Sequence, residues 1–512
     1  MSHKNKNGKV FLVGAGPGDP GLITVKGMEC IRQADVLIYD YLASPALLKY
    51  ASENAKSIYV GKKGGDHTLS QNGINQLLVE KAEKGFVVTR LKGGDPFIFG
   101  RGGEEVEVLI KAQIPFEIVP GVTSAVAAPA YAGIPLTHRK YASAVTFVTG
   151  HEDPDKEKSD IDWESLVRGG GTIVFLMGVK NLPLIARQLM NCGMPPDKSV
   201  ALVRWGTTPK QMTVTGRLDT IVNHVKKAGL KPPAVIIVGD VVNLRAEMKW
   251  FENRPLMGKK ILVTRSREQA SNMVKALSDL GAECLDCPVI KIVQPDDTAP
   301  LNTAIENLSS YDWLIFTSVN GVKFFFDRLY ALGRDIRSLS NLNTASIGPA
   351  TAEKLFCFGL KSDILPESYR AESIIESFAK EDIEGKRILI PRAKEARPIL
   401  PVELRKMGAV VDEITAYHTK DVKENADLVL KELEKETIDL ITFTSSSTVK
   451  NFKAILPSEK SESLMKNVII ASIGPITTQT ARKLGFHVHV TAETFTIPGL
   501  CDAILRYYKS QM

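Results

Sequence analysis

The chain has 512 residues, of which 44% are hydrophobic and 24% charged, and its formal net charge is +7. These values are ordinary for a soluble globular protein with room for about three domains. No apolar run approaches the roughly 18 residues of a membrane span, and the N-terminus is polar, so we expect neither a membrane segment nor a signal peptide. The six scattered cysteines favour a reducing cytoplasm over a disulfide scaffold.

The first predicted strand, VFLVG, ends in the glycine-rich loop GAGPGD. Gly14 and Gly16 match two of the three glycines in a dinucleotide-binding loop, and Asp40 follows the next strand, where a ribose-binding acid would stand. Asp19 occupies the third glycine position, however, and Pro17 removes an N–H where the helix would begin. A dinucleotide site stays open as an alternative, but a ligand without a pyrophosphate is favoured.

Two more loops follow apolar strands further along the first half, which alternates predicted strands and helices and is therefore α/β. Gly93, Gly94 and Asp95 stand in LKGGDPFIFGRGGEE, directly after the apolar run VVTR. Thr123 and Ser124 stand in VPGVTSAVAAPAYAGIPLTHR, before a helix of small residues. Three such loops together indicate a ligand that lies along one edge of a sheet and is bound largely by backbone groups.

The motifs argue against phosphate, metal and nucleic acid ligands. The chain has no GxxxxGK[ST] motif, and His67, His138 and His151 lack the spacing of metal ligands. The pair Cys284 and Cys287 forms a CxxC without two further zinc ligands. The positive charge suits an acidic ligand, but no dense Lys/Arg tract favours a nucleic acid. A cofactor with an adenosine and an amino acid but no phosphate fits these loops.

The stretches GAGPGDPGLITVKG, VLIYDYL, VGKKGG, LKGGDPFIFGRGGEE, VPGVTSAVAAPAYAGIPLTHR, FLMGV and VRWGT closely resemble uroporphyrinogen-III C-methyltransferase, within the tetrapyrrole methylase family. The resemblance covers residues 8–250 and implies a two-lobed α/β fold, a homodimer and S-adenosylmethionine as the cofactor, released as S-adenosylhomocysteine. The cofactor contacts that it implies are Pro17, Gly93, Gly94, Asp95, Ile98, Thr123, Ser124, Met177 and Gly206.

The same resemblance implies the residues that handle protons and substrate. Asp40 and Lys62 match the family's proton acceptor and donor, although a strand-terminal acid and a surface lysine are the structural alternatives. Arg101 and Arg139 would bind carboxylates of the tetrapyrrole substrate. No metal is implied.

The second half repeats itself. ILVTR recurs as ILIPR, LIFTS as ITFTS, and ASIGP occurs twice. Arg265 and Arg392 are 127 residues apart, and so are Ser318 and Ser445. The repeat predicts two similar α/β subdomains with a ligand cleft between them. The hydroxyl residues after these strands would cap helices, bind anions, or do both.

The segments ILVTR, LIFTSVNGV, SIGPATAEKL, ILIPRA, ITAYHT, TFTSSSTVKNF and SIGPITTQTARKLG resemble uroporphyrinogen-III synthase. The resemblance implies flavodoxin-like subdomains, one inserted into the other through a two-stranded connector. Tyr417 matches the family's candidate proton donor, and Thr351 and Thr477 match polar cleft residues. The implied limits are 8–250 for the methylase, 251–257 for a linker and 258–512 for the synthase, divided into 258–290 plus 418–512 and 291–417.

These resemblances predict a cytoplasmic bifunctional enzyme of early sirohaem and cobalamin synthesis. The second half would close hydroxymethylbilane to uroporphyrinogen III with inversion of the last pyrrole and loss of water. The first half would methylate that product twice, at C2 and C7, to precorrin-2. The alternative is a methyltransferase for another substrate, fused to a tetrapyrrole-binding domain without catalytic activity.

Overall fold

The computed structural model describes residues 8–61, 69–150, 160–265, 267–366, 371–394, 396, 398–421 and 426–511. The chain divides into two compact units. The N-terminal unit runs to Lys259 and includes Leu277–Glu283 and the residues from Tyr508 on, and the C-terminal unit holds Lys260–Ala276 and Cys284–Tyr507. None of the described helices is both long and apolar enough to cross a bilayer.

The first lobe of the N-terminal unit is a parallel sheet with helices on both faces. Its strands are β1 (Lys9–Gly14), β2 (Val36–Tyr39), β3 (Lys56–Tyr59), β4 (Val87–Lys92) and β5 (Phe116–Val119). Its helices are α1 (Val25–Arg32), α2 (Gln71–Glu83) and α3 (Gly102–Lys111), while α4 (Ser124–Tyr131), which follows β5, packs against the sheet of the second lobe. The strand order is β3-β2-β4-β1-β5, and every pairing is parallel.

The apolar run that predicted β1 is buried on both faces of this sheet. Val10 and Leu12 pack in a cluster with residues of α2 and α3. Phe11 and Val13, which alternate with them, pack in a second cluster with residues of α1. A continuous apolar run is typical of a central parallel strand that is covered by helices on both faces. β1 is such a strand, and the loop that follows it lies at the carboxyl ends of the strands.

The second lobe is a mixed sheet. Its strands are β6 (Val145–Thr149), β7 (Thr172–Leu176), β8 (Ser199–Arg204), β9 (Met212–Arg217) and β10 (Ala234–Val238), and its helices are α5 (Trp163–Arg168), α6 (Leu182–Asn191), α7 (Ile221–Lys227) and α8 (Arg245–Met248). The strand order is β6-β7-β10-β8-β9; β6 pairs parallel with β7, and the other pairings are antiparallel. The predicted two-lobed α/β fold is therefore confirmed.

In the C-terminal unit, the strands are β11 (Lys260–Val263), β12 (Glu283–Asp286), β13 (Ile290–Val293), β14 (Trp313–Phe316), β15 (Asn343–Ser346), β16 (Arg387–Ala393), β17 (Val410–Asp421), β18 (Leu440–Phe443), β19 (Ile469–Ser472) and β20 (Val490–Thr491). They form two sheets, in the orders β12-β11-β18-β19-β20 and β13-β17-β16-β14-β15. The second sheet lies, in sequence, between β12 and β18, so one α/β subdomain is inserted into the other as predicted. β13 pairs antiparallel with residues 418–421 of β17, which forms the two-stranded connector.

The helices of this unit are α9 (Arg267–Asp279), α10 (Ala299–Glu306), α11 (Val319–Ala331), α12 (Pro349–Phe356), α13 (Ala371–Phe378), α14 (Ile399–Lys406), α15 (Ala426–Glu434), α16 (Ser446–Ile455), α17 (Ser461–Met465), α18 (Pro475–Lys483) and α19 (Ile497–Lys509). Short 3₁₀ helices occupy Pro20–Leu22, Pro45–Tyr50, Asp240–Leu244, Leu308–Ser310 and Ile336–Leu339.

The sequence repeat corresponds to a repeat of strand order. In each sheet the ILxxR strand (β11 or β16) lies beside the FTS strand (β18 or β14), which lies beside the IGP strand (β19 or β15). All of these neighbours are parallel. Equivalent loops therefore leave equivalent strand ends in both subdomains.

The segment predicted as a linker contains buried side chains. Phe251 is 2% exposed and its ring lies 4.8 Å from that of Tyr131, at the end of α4, while Leu256 is fully buried. The domain limits stay a prediction, but this part of the chain is packed rather than extended.

Phe443 lies in the core that packs against the sheet containing β18, and its substitution tests that core. It is fully buried, and its ring lies 5.5 Å from that of Phe452 and 5.9 Å from that of Phe486. We expect Phe443→Ala to lower the free energy of unfolding by about 3–5 kcal/mol, because the lost ring leaves a cavity. Native-state hydrogen exchange of β18 measures this change.

Phe356→Ala is the matched control, because Phe356 is 69% exposed in the same unit. It should change the free energy by less than about 0.5 kcal/mol. Equal losses of protection in the two variants would contradict the assignment of Phe443 to the core.

Candidate functional site

Three loops meet at the carboxyl ends of β1, β4 and β5. The Gly16 N–H donates to the Gly94 carbonyl over 3.2 Å, and the Gly94 N–H donates back to the Gly16 carbonyl over 2.8 Å. The Ala15 N–H donates to the Lys92 carbonyl over 2.7 Å. The first two loops are thus joined backbone to backbone, at the edge where open α/β sheets bind ligands.

The junction depends on glycine at positions 14 and 121. A Cβ added to Gly14 would lie 2.5 Å from the Cα of Gly121, and one added to Gly121 would lie 2.3 Å from the Gly94 carbonyl oxygen. Gly94 itself has a φ of +71°, which favours glycine. Any side chain at position 14 or 121 would force the loops apart.

The Asp95 side chain holds the second loop against the third. Its Oδ1 accepts hydrogen bonds from the Phe97 N–H (2.8 Å) and the Ile98 N–H (3.1 Å), and its Oδ2 accepts one from the Gly121 N–H (3.0 Å). Both carboxylate oxygens are therefore engaged with backbone. Ile98 is left 38% exposed beside this turn.

The other predicted cofactor residues of the first lobe lie in the same loops. Pro17 stands between Gly16 and Gly18, both of which have positive φ. Thr123 is the N-cap of α4, where its Oγ1 accepts from the Ala125 N–H over 3.3 Å, and Ser124 is the first residue of that helix. A Cβ added to Gly93 would lie 2.5 Å from the Cβ of Leu42, in the loop after β2.

The second lobe reaches this junction through the loop between β8 and β9. A Cβ added to Gly206 would lie 2.5 Å from the Cβ of Ala128 in α4. The Asp19 N–H donates to Thr207 Oγ1 over 3.0 Å, which connects the same loop to the one after β1. Met177 follows β7, has a φ of +60° and is 51% exposed.

Asp40 lies at the carboxyl end of β2, on the same sheet edge. Its Oδ1 accepts from the Leu42 N–H over 3.1 Å, and its Oδ2 accepts from Arg90 over 3.2 Å. The Asp40 side chain is 27% exposed. Lys62, its predicted partner in proton transfer, lies outside the described residues.

The two predicted carboxylate-binding arginines are exposed. Arg101 forms a two-pronged ion pair with Glu104, with distances of 2.8 and 2.7 Å, and this pairing lowers the pKa of Glu104. Arg139 lies in a turn in which the His138 N–H donates to the Ala142 carbonyl. Both side chains remain candidates for contact with an anionic ligand.

In the C-terminal unit, Tyr417 is 7% exposed on β17. Its hydroxyl lies 3.0 Å from Ser318 Oγ, and its ring stacks on that of Phe324 at 5.8 Å. Ser318 is the N-cap of α11, where its Oγ accepts from the Gly321 N–H over 3.0 Å. The Tyr417 hydroxyl is therefore fixed at a helix N-terminus, where the dipole favours negative charge.

Thr351 and Thr477 occupy the first turns of the equivalent helices α12 and α18. They are only 4% and 5% exposed. Each follows an IGP turn at the end of an equivalent strand, as the repeat predicted. Their contact with a substrate stays a prediction.

Sequence reasoning did not single out Ser318 as a partner of Tyr417 or Gly121 as part of the loop junction. It also missed Arg90 and Glu105, which form ion pairs behind Asp40. One signal was present: VVTRLK places two basic residues inside a strand that otherwise looks buried. Charged residues are almost never buried unless they are paired.

Comparison with known proteins gives matches in both halves. Residues 9–222 match the family model described as Tetrapyrrole (Corrin/Porphyrin) Methylases, and residues 271–502 match Uroporphyrinogen-III synthase HemD. A relative named Porphyrin biosynthesis protein HemD, from Ruminiclostridium josui, is 41% identical over 98% of this chain and 98% of its own length.

Two shorter relatives match the N-terminal half alone. Uroporphyrinogen-III C-methyltransferase from Priestia megaterium is 56% identical over 46% of this chain and 99% of its own length. The S-adenosyl-L-methionine-dependent uroporphyrinogen III methyltransferase of Methanosarcina barkeri (strain Fusaro / DSM 804) is 54% identical over 46% of this chain and 93% of its own length.

The loop junction predicts an effect of glycine substitution on ligand binding. Gly121→Ala should weaken the binding of S-adenosylhomocysteine at least about 10-fold, because the added methyl group separates the loops. Titration calorimetry of the full chain measures the affinity.

Gly103→Ala is the control, because a Cβ at that position in α3 meets no atom within 4 Å. It should leave the affinity unchanged. Wild-type affinity in Gly121→Ala would show that the ligand does not use this junction.

Proposed function

The chain belongs to the tetrapyrrole methylases in its N-terminal half and to the uroporphyrinogen-III synthases in its C-terminal half, and on that premise we propose that it makes uroporphyrinogen III and then methylates it. The C-terminal half closes hydroxymethylbilane with inversion of the last ring. The N-terminal half methylates the product at C2 and C7 to precorrin-2. One relative matches 98% of this chain and therefore spans both halves, which supports the assignment of both activities to one chain.

The junction of three loops carries the methyltransferase half of the proposal. It offers closely spaced backbone groups and small residues rather than a cluster of cations, which fits S-adenosylmethionine better than a phosphorylated cofactor. The residues that would hold it are Pro17, Gly93, Gly94, Asp95, Ile98, Thr123, Ser124, Met177 and Gly206. Two of these, Gly93 and Gly206, leave no room for a Cβ, because Leu42 and Ala128 pack directly against them and hold their loops in place.

When bound, the cofactor supplies an electrophilic methyl group. The chain's own residues then hold the pyrrole carbon in line with it, and positioning supplies most of the acceleration. Asp40 accepts the proton that the methylated ring loses, and Lys62 is the residue that the family resemblance assigns as proton donor. Arg101 and Arg139 bind the substrate's carboxylates.

In the synthase half, Tyr417 donates a proton to the departing hydroxyl of hydroxymethylbilane. Its position at the N-terminus of α11 supports this role, because the helix dipole stabilises the tyrosinate left behind. Thr351 and Thr477 supply polar contacts from equivalent helices. Most of the catalysis is expected from holding the flexible substrate in a folded form.

The proposal extends to assembly and location. A homodimer through the N-terminal unit and the domain limits at residues 250 and 258 follow from the family resemblance, and the scattered cysteines favour a cytoplasmic location.

Asp40→Asn tests the proton acceptor. The amide keeps the shape of the side chain but cannot accept the proton as a base, so we expect methyl transfer to fall about 10² to 10⁴-fold with little change in cofactor affinity. Chromatography of methylated products measures the rate. Asp240→Asn, which removes a carboxylate paired with Lys198 in the same unit, should leave methylation intact.

Tyr417→Phe tests the proton donor. Phenylalanine keeps the stacking on Phe324 but lacks the hydroxyl, so enzymatic uroporphyrinogen III should fall at least about 10-fold and the spontaneous type I isomer should accumulate. Tyr311→Phe is the control, because its hydroxyl donates to Asp412 over 2.7 Å in the same unit. A normal isomer ratio in Tyr417→Phe would remove this residue from the mechanism.

A further inference from the structure

A network of buried charged side chains lies directly behind Asp40. Arg90 and Lys92 lie on β4, and Glu105 lies on α3. The side chains of Arg90, Lys92 and Glu105 are 4%, 5% and 0% exposed. Removing charged groups from water costs free energy unless close ion pairs compensate. Apolar residues in place of a buried ion pair often give a protein that is at least equally stable. The network therefore calls for a role beyond stability.

One carboxylate oxygen of Glu105 accepts hydrogen bonds from three donors. Its Oε1 accepts from Lys92 Nζ at 2.8 Å, Arg90 Nε at 3.3 Å and Gln71 Nε2 at 3.2 Å. Among the described residues, no donor reaches its Oε2. This crowding fixes the carboxylate of Glu105, and through it the guanidinium of Arg90.

The Arg90 guanidinium is held on three sides. Its Nε donates to Glu105 and its Nη1 donates to the Leu91 carbonyl over 3.1 Å. Its remaining nitrogen, Nη2, donates to Asp40 Oδ2 over 3.2 Å. Since the guanidinium is planar, two fixed contacts determine where the third N–H points.

Arg90, rather than Lys92, is the member that contacts Asp40, whereas Lys92 contacts Glu105. Burial lowers the pKa of Lys92 and the positive charge of Arg90 lowers it further, while the negative charge of Glu105 raises it.

Of the four charged side chains Asp40, Arg90, Lys92 and Glu105, only that of Asp40 is partly open, at 27% exposed. Arg90 holds its Oδ2 and the Leu42 N–H holds its Oδ1, so the carboxylate cannot rotate freely. We propose that Arg90, anchored by Glu105, is a positioning residue that orients the Asp40 carboxylate for proton transfer. This inference rests on the proposed role of Asp40 as proton acceptor.

A double-mutant cycle tests the proposal in the full chain. Arg90→Gln should lower kcat for methyl transfer about 10-fold or more, while KM for S-adenosylmethionine stays within about 2-fold. In an Asp40→Asn background, Arg90→Gln should change kcat by less than about 2-fold, because the residue that it orients is already disabled. Lys198→Gln, which breaks the ion pair with Asp240 in the same unit, should change neither parameter.

The results separate the two claims. If Asp40→Asn is impaired but Arg90→Gln is not, or if the two effects multiply, the positioning role is wrong and the role of Asp40 stands. If Asp40→Asn has wild-type kcat, the proposed proton acceptor is wrong and the inference fails with it.

Arg90→Lys covers the case in which Arg90→Gln does not fold, as judged by loss of S-adenosylhomocysteine binding. Lysine keeps the charge but cannot contact Glu105 and Asp40 in the geometry of the guanidinium fork. We expect its kcat to lie between those of the wild type and Asp40→Asn, with normal cofactor affinity. A wild-type kcat in Arg90→Lys would overturn the proposal.

Discussion

In the N-terminal unit, three loops contact one another backbone to backbone at the carboxyl ends of β1, β4 and β5. Gly14, Gly94 and Gly121 allow it, since a side chain at position 14 or 121 would overlap its neighbours. The contact places exposed backbone groups and the start of α4 on one sheet edge, and Asp40 ends the neighbouring strand β2. The proposed cofactor site, proton acceptor and positioning network all depend on this edge.

The C-terminal unit is organised differently, by an internal repeat. Its two subdomains repeat the same order of ILxxR, FTS and IGP strands, so hydroxyl-bearing helix starts recur at equivalent places. The repeat is imperfect in detail. Ser472 Oγ lies 2.6 Å from Thr478 Oγ1, but Ala352 occupies the position of Thr478 in the other copy, and Ser346 Oγ has no partner in the described part of the chain.

The patterns were enough to predict the α/β character, the three loops and the two similar subdomains, because glycine spacing, apolar runs and an internal repeat are local or periodic signals. The two-lobed fold and the inserted subdomain were implied by the family resemblances. The sequence was not enough to predict the partners of Asp95 or Asp40. The Asp95 carboxylate accepts from the Gly121 N–H, and the Asp40 carboxylate accepts from Arg90, fifty positions away in the sequence. Both contacts depend on the order of the strands, which no local sequence pattern specifies. A basic residue inside an apolar strand was a visible signal, but its partner could only be found in three dimensions.

The most direct measurement is one anaerobic incubation of the purified chain with fresh hydroxymethylbilane and S-adenosylmethionine, analysed by isomer-resolving chromatography. The account predicts a dimethylated product of the type III series, which requires both halves to act. Uroporphyrinogen I alone, the spontaneous ring, would contradict the synthase assignment. Unmethylated uroporphyrinogen III alone would contradict the methyltransferase assignment.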